Sequence, residues 1–220
     1  MESSPTSSQI IVQIKIHTQA WSASLSKLKI RTIGDVLFEE QIIHKYFKLA
    51  GTSIRLIRWL KPQSNFKLNA DARYISGKAG GGAILRNQDG EMLAAISFPI
   101  TASTSLEAEI IAIIIATRWA VESGYCDFQV ETDATQVVSY FVQVAEGRWK
   151  TLFQEMKDYI NRKGVSIGHA LRESNWVAHH MSAAASAQLQ IFNRPQDLPY
   201  LARQAYFRDL YGLPSFRCSY

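Results

Sequence analysis

The sequence predicts an α/β fold: a mixed five-stranded sheet, three antiparallel strands then two parallel ones, flanked by helices and preceded by a mainly helical N-terminal extension. Three observations predict it. Short strand patterns with tight links run from Phe66 to Phe98. A capped apolar segment of helical length follows from about Leu106 to Glu122. Strand and helix patterns then alternate to about Gln190, the order of crossover-connected parallel strands. The expected divisions are an extension over 1–58, the sheet domain over 59–189 and a C-terminal tail over 190–220.

In the extension, residues 1–8 are Ser/Thr-rich and read as disordered. Residues 9–20 are dense in isoleucine, and strand and helix both remain open there. From Ser22 to Leu49 the spacing of Leu25, Leu28, Val36, Ile43 and Phe47 is more helical. Trp59 to Asn65, with Pro62 and small polar residues, reads as a linker.

The first domain strand runs through Phe66-Lys67-Leu68-Asn69-Ala70 and ends by presenting Asp71. Alternation puts Leu68 and Ala70 on one face and Lys67, Asn69 and Asp71 on the other. Gly77 to Gly82 is glycine-rich, but lacks a Gly-Lys-Ser/Thr ending and leads into a strand. It is read as a turn rather than a phosphate cradle. The strands Gly82–Arg86 and Glu91–Phe98 are joined by a hairpin turn at Asn87-Gln88-Asp89-Gly90. Thr104 or Ser105 caps the next helix, with Glu107 in its first turn. Glu109 shares a face with Ala112, Ile113 and Ala116. A carboxylate on a core-facing stripe is costly unless it is paired or binds a metal. The strand Phe128–Asp133 places Asp133 at its carboxyl end, where open α/β sheets bind ligands. Helices over 134–145 and up to Arg162, a strand over 164–169 and a last helix over 175–190 complete the pattern.

Composition narrows the classes. Of 220 residues, 47% are hydrophobic and 20% charged, a core-forming composition. The longest apolar run, Ile110–Ala116, is too short for a membrane span of roughly 18 residues, so no membrane partner is expected. The start Met1-Glu2-Ser3-Ser4-Pro5 lacks the basic and apolar blocks of a secretory signal. Cys126 and Cys218 make no disulfide framework. An intracellular setting is expected, nucleus or cytoplasm, with an organelle left open. The net charge of +5 sits in the flanks: residues 61–190 hold 12 Lys/Arg against 13 Asp/Glu.

Several pieces in order now resemble a family: Trp59-Leu60-Lys61-Pro62, Lys67-Leu68-Asn69-Ala70-Asp71, Gly81-Gly82-Ala83-Ile84-Leu85-Arg86-Asn87, Glu107-Ala108-Glu109, Glu131-Thr132-Asp133-Ala134 and the run from His169 to Ala178. Together they resemble ribonuclease H, and more narrowly the ribonuclease H-like domain of plant non-LTR retroelement reverse transcriptases and their stand-alone relatives. The resemblance covers about Trp59 to Ala187. It implies cleavage of the RNA strand of an RNA/DNA hybrid, with two Mg²⁺ ions between four acidic ligands and the scissile phosphate. By motif, Asp71, Glu109 and Asp133 take the first three ligand positions. His169 matches a flexible-loop histidine credited with product release or proton transfer. The sequence departs at the fourth ligand, where the family's Asp is His179, followed by His180. Ala72 and Asn87 also replace a usual Gly and a common Asp.

Two readings of His179 stay open. It is a nitrogen ligand suited to Mn²⁺ more than Mg²⁺, or it marks decay toward a catalytically inactive, retroelement-derived module that binds protein or nucleic acid. Residues 9–57 offer apolar surface for a protein partner. The segment Arg148, Trp149, Lys150, Lys157, Arg162 and Lys163 is a basic handle for a duplex or an ordinary helix surface.

Overall fold

The computed structural model describes residues 53–142, 153–154, 157–158, 160–161 and 163–219. The chain divides into two compact units, residues 1–56 with 216–220 and residues 57–215. The helices and partner surface expected over 9–52 lie outside the described residues, as do Arg148, Trp149, Lys150 and Arg162 of the basic segment. Where the extension is described, Ser53–Ile57 is a strand (β1), not a helix, and it forms a two-stranded sheet with Ser215–Ser219 (β8).

The main sheet has six strands. In chain order they are Phe66–Ile75 (β2), Lys78–Asn87 (β3), Met92–Ile100 (β4), Phe128–Thr132 (β5), Ser166–His169 (β6) and Gln190–Phe192 (β7). The spatial order is β6-β5-β2-β3-β4-β7. β2, β3 and β4 are antiparallel neighbours, and β5 and β6 join as parallel strands. The α/β class and the mixed sheet are as expected, but the strand number is not. β7 adds a sixth strand antiparallel to β4, with Ile96 opposite Ile191. The stretch read as one helix over 175–190 is divided: the helix stops at Ala183 and the chain turns into β7.

β2 does not end at Asp71. It continues to Ile75, because Ser76 and Gly77 both take positive φ, 48° and 80°, and close a two-residue hairpin with Ile75 opposite Lys78. That left-handed pair is the turn whose twist matches paired strands. The glycines after Gly77 lie inside β3 instead of in the turn.

Helices cover both faces. On one, Ser105–Glu122 (α1) packs Ala108, Ile110, Ala112, Ile113 and Ala116 against Leu68, Ala70, Leu85, Ile96, Phe98 and Val130. Thr104 Oγ1 accepts from Glu107 N, and the Glu107 carboxylate accepts from Ser103 N, so the first turn is capped in both directions. The isoleucines cost at most about 0.7 kcal/mol each in helix propensity. Full burial of each contributes about 1.5–3 kcal/mol, so burial decides. Thr135–Val142 (α2) adds Val137 to this core. On the other face, Trp176–Ala183 (α3) and Tyr200–Leu210 (α4) bring Val177, Met181, Ala202, Ala205 and Tyr206 against Ile84, Met92 and Ala95.

The second face also buries charge. Arg86, fully buried, pairs with Asp209 of α4 at 3.0 Å and donates to Asn69 Oδ1 at 2.7 Å. Its guanidinium lies 3.7 Å from the Trp59 ring centroid, and Trp59 Nε1 donates to the same Asn69 oxygen. Lys67 pairs with Glu131 at 2.7 Å and donates to Leu60 O. Trp59, read as linker, is therefore part of the core.

Candidate active site

β2 is paired with β5 only from Phe66 to Asn69. Beyond that point β2 continues while β5 ends at Thr132. The sheet thus has a notch beside residues 70–72, and backbone groups there need partners other than a strand. Side chains supply them. Asn175 Nδ2 donates to Ala70 O at 3.1 Å, and Ala72 N donates to Glu109 Oε2 at 3.2 Å. Asp133, the residue after β5, accepts from Asn175 Nδ2 at 3.4 Å.

Three carboxyl groups meet at this notch. Burial, reinforced by the charges of Asp71 and Asp133, pushes the Glu109 carboxyl up to about 9. Asp133 is also raised, first by burial and then by repulsion from Asp71, with which it is close enough to share a proton. Asp71 itself is 3% exposed. Its Oδ2 accepts from Ser182 Oγ at 2.8 Å and faces His179 Nδ1 at 3.2 Å. His180 stacks on Trp176, and burial, then His179, lower its pKa to about 4.

The helix α3 reaches Asp71 because of Gly82. Gly82 is the cross-strand partner of Asp71, and a Cβ there would run into the Ser182 backbone nitrogen and Met181. Gly82→Ala is expected to push α3 off the sheet and cost about 1–3 kcal/mol of stability, measured by urea unfolding. An unchanged midpoint would show that the helix adjusts freely.

Of the residues singled out by sequence, Asp71, Glu109, Asp133 and His179 come together. His169 ends β6 in register with Thr132, one residue before Asp133. It is exposed and makes no hydrogen bond to the three acids. Ser182, Asn175 and the Ala72 amide were not singled out. Asn175 and Ala72 lay within motif stretches without any role attached, and a helical serine carries no chemical signature.

The donor set suits a hard divalent cation: clustered carboxylates that resist ionising together are relieved by a positive charge. Asn175, 1% exposed, leaves its Oδ1 without a hydrogen-bond partner beside Asp133, an acceptor that a water on such an ion would satisfy. Among the described residues no three His, Cys, Asp or Glu side chains form a ready-made ion cage, so binding would draw the carboxylates together.

Comparison with known proteins agrees with this architecture. Residues 69–185 match a family model described as reverse transcriptase-like. The chain is similar to LC11-RNase H1, isolated from compost by a metagenomic approach and solved in complex with an RNA/DNA hybrid. That match has 21% identity and a TM-score of 0.50, and covers 55% of this chain and 95% of the other. It is likewise similar to the N-terminal RNase H domain of rv2228c from Mycobacterium tuberculosis, at 20% identity and a TM-score of 0.50 over 56% of this chain and 94% of that one. No curated protein matches by sequence. The fold of the domain is ribonuclease H-like.

Proposed function

We propose, from the premise that the chain belongs to the reverse transcriptase-like family, that it is a divalent-metal-dependent endonuclease acting on the RNA strand of RNA/DNA hybrids. The observation that carries this reading is the convergence of Asp71, Glu109 and Asp133, distant in sequence, at the point where β5 ends and β2 runs on. Those three carboxylates would hold Mg²⁺ or Mn²⁺. When bound, such an ion supplies Lewis-acid neutralisation of charge developing on a phosphodiester. Asn175 orients Asp133, and Ser182 and His179 orient Asp71. His169, exposed on the β6 side of the notch, is the group placed to move a proton to or from solvent. A plant non-LTR retroelement ancestry is part of this proposal and rests on the motifs.

A second reading, a module that binds without cutting, is favoured by one observation. The position of the fourth acid is His179, and its Nδ1 faces Asp71. Cleavage of an end-labelled hybrid with Mg²⁺ and with Mn²⁺ separates the two readings. Asp71→Asn is expected to lower the rate about 10³-fold, the scale of losing about 4 kcal/mol of charge stabilisation. No cleavage with either metal would sink the nuclease reading and leave the binding module.

A further inference from the structure

We infer that Asp71 presents a single oxygen to the notch, so that the site holds one divalent ion in place of the pair that the family resemblance implies. The inference rests on the metal-dependent reading above and goes beyond it to the number of ions.

A carboxylate oxygen has about two lone-pair positions. Asp71 Oδ2 has both occupied, by Ser182 Oγ at 2.8 Å and His179 Nδ1 at 3.2 Å. An imidazole nitrogen facing a carboxylate oxygen carries the hydrogen, so Nδ1 donates. Ser182 is 2% exposed, so its hydroxyl has no water to turn to. It follows His179 by three residues and lies on the same face of α3. Gly82, directly across from Asp71, lets that face sit against the strand. The clamp on Oδ2 is therefore built into the packing of helix on sheet.

The other two acids are each held once. Glu109 Oε2 takes the Ala72 amide, and Asp133 Oδ1 takes Asn175 Nδ2. Each acid thus keeps one oxygen wholly free. Three single oxygens supply half of an octahedron around one hard ion and leave the rest to water or phosphate. A second ion needs a carboxylate that bridges through both oxygens, and a further anion. Asp71 has lost the first capacity, and His179 supplies a donor where the anion would stand. The unpartnered Asn175 Oδ1 is a further buried acceptor beside Asp133, suited to a water on that single ion.

Mn²⁺ titration of the full chain tests this, followed by electron paramagnetic resonance and calorimetry in the presence of a hybrid with phosphorothioate-substituted RNA. One Mn²⁺ per chain, with no exchange-coupled pair signal, is the expected result. The double change Ser182→Ala with His179→Asp frees Oδ2 and restores the anion, and is expected to raise the stoichiometry to two. Two ions on the unaltered chain would overturn the inference and leave the metal-dependent reading standing. A double variant that is folded by circular dichroism and still takes one ion would overturn the role given to Oδ2. No Mn²⁺ binding at all would overturn the metal-dependent reading itself.

Discussion

Asp209→Ala is expected to lower the unfolding free energy by about 3–5 kcal/mol. The change leaves the Arg86 guanidinium fully buried and without its counter-charge. Burial already works against the charge of Arg86, and Asp209 is the first-ranked group opposing that effect. Asn69 Oδ1 and the Trp59 ring remain beside the guanidinium, but neither carries a negative charge. Asp209 lies near the end of α4, beyond the residues 69–185 matched by the family. The loss should therefore appear as undocking of α4, with Tyr206 leaving the Met92 amide it now accepts from. Replacing both partners, Arg86→Met with Asp209→Leu, should cost clearly less than Asp209→Ala alone, since no uncompensated charge stays behind. Urea unfolding of the three variants decides the point. A loss below 1 kcal/mol for Asp209→Ala would mean that water reaches Arg86.

Glu109→Gln is expected to stabilise the metal-free protein by about 3 kcal/mol at pH 7. The Glu109 carboxyl is raised from 4.5 to about 9 by burial and then by Asp71 and Asp133. The folded chain therefore binds a proton that the unfolded chain has released. Its contribution to stability is complete below pH 4.5 and declines as pH rises toward 9, at about 1.4 kcal/mol per pH unit. Glutamine keeps the Ala72 hydrogen bond through its carbonyl oxygen and has no proton to lose. The stability difference between variant and unaltered protein should grow across that window and vanish at low pH. A divalent ion should reverse the order, because it binds the folded carboxylates and stabilises by mass action. Thermal unfolding at several pH values, with and without Mn²⁺, measures both effects. A constant difference across pH 5–8 would show that Glu109 is ionised without penalty.

The strand order and the three acids were legible because each has a local signature. Asp133 stands where a strand pattern stops, and Glu109 interrupts an apolar helix face. The extent of β2 was not legible. Asp71 was read as a strand end because the glycines after it looked like one long turn, whereas Ser76 and Gly77 alone make the turn. Lys67, Asn69 and Asp71 alternate with apolar residues as an exposed face would. Yet all three are buried, because α3 and α4 cover that face from residues more than 100 positions away. Arg86 and Asp209 are separated by 123 positions, and no periodicity connects them. The same distance hid Ser182, whose partner Asp71 lies 111 positions earlier.

The widths of the sheet's strands have a consequence for how the chain keeps to itself. Its outermost members, β6 and β7, contain 4 and 3 residues, whereas β2 and β3 contain 10 each. A lateral boundary that short offers a foreign polypeptide few open amides on which to accrete. Before Gln190–Phe192 arrives, however, the 9 residues of β4 present an uncovered flank. A nascent chain halted before residue 190 would therefore be the form most prone to polymerise, and its last few residues act as a built-in shield.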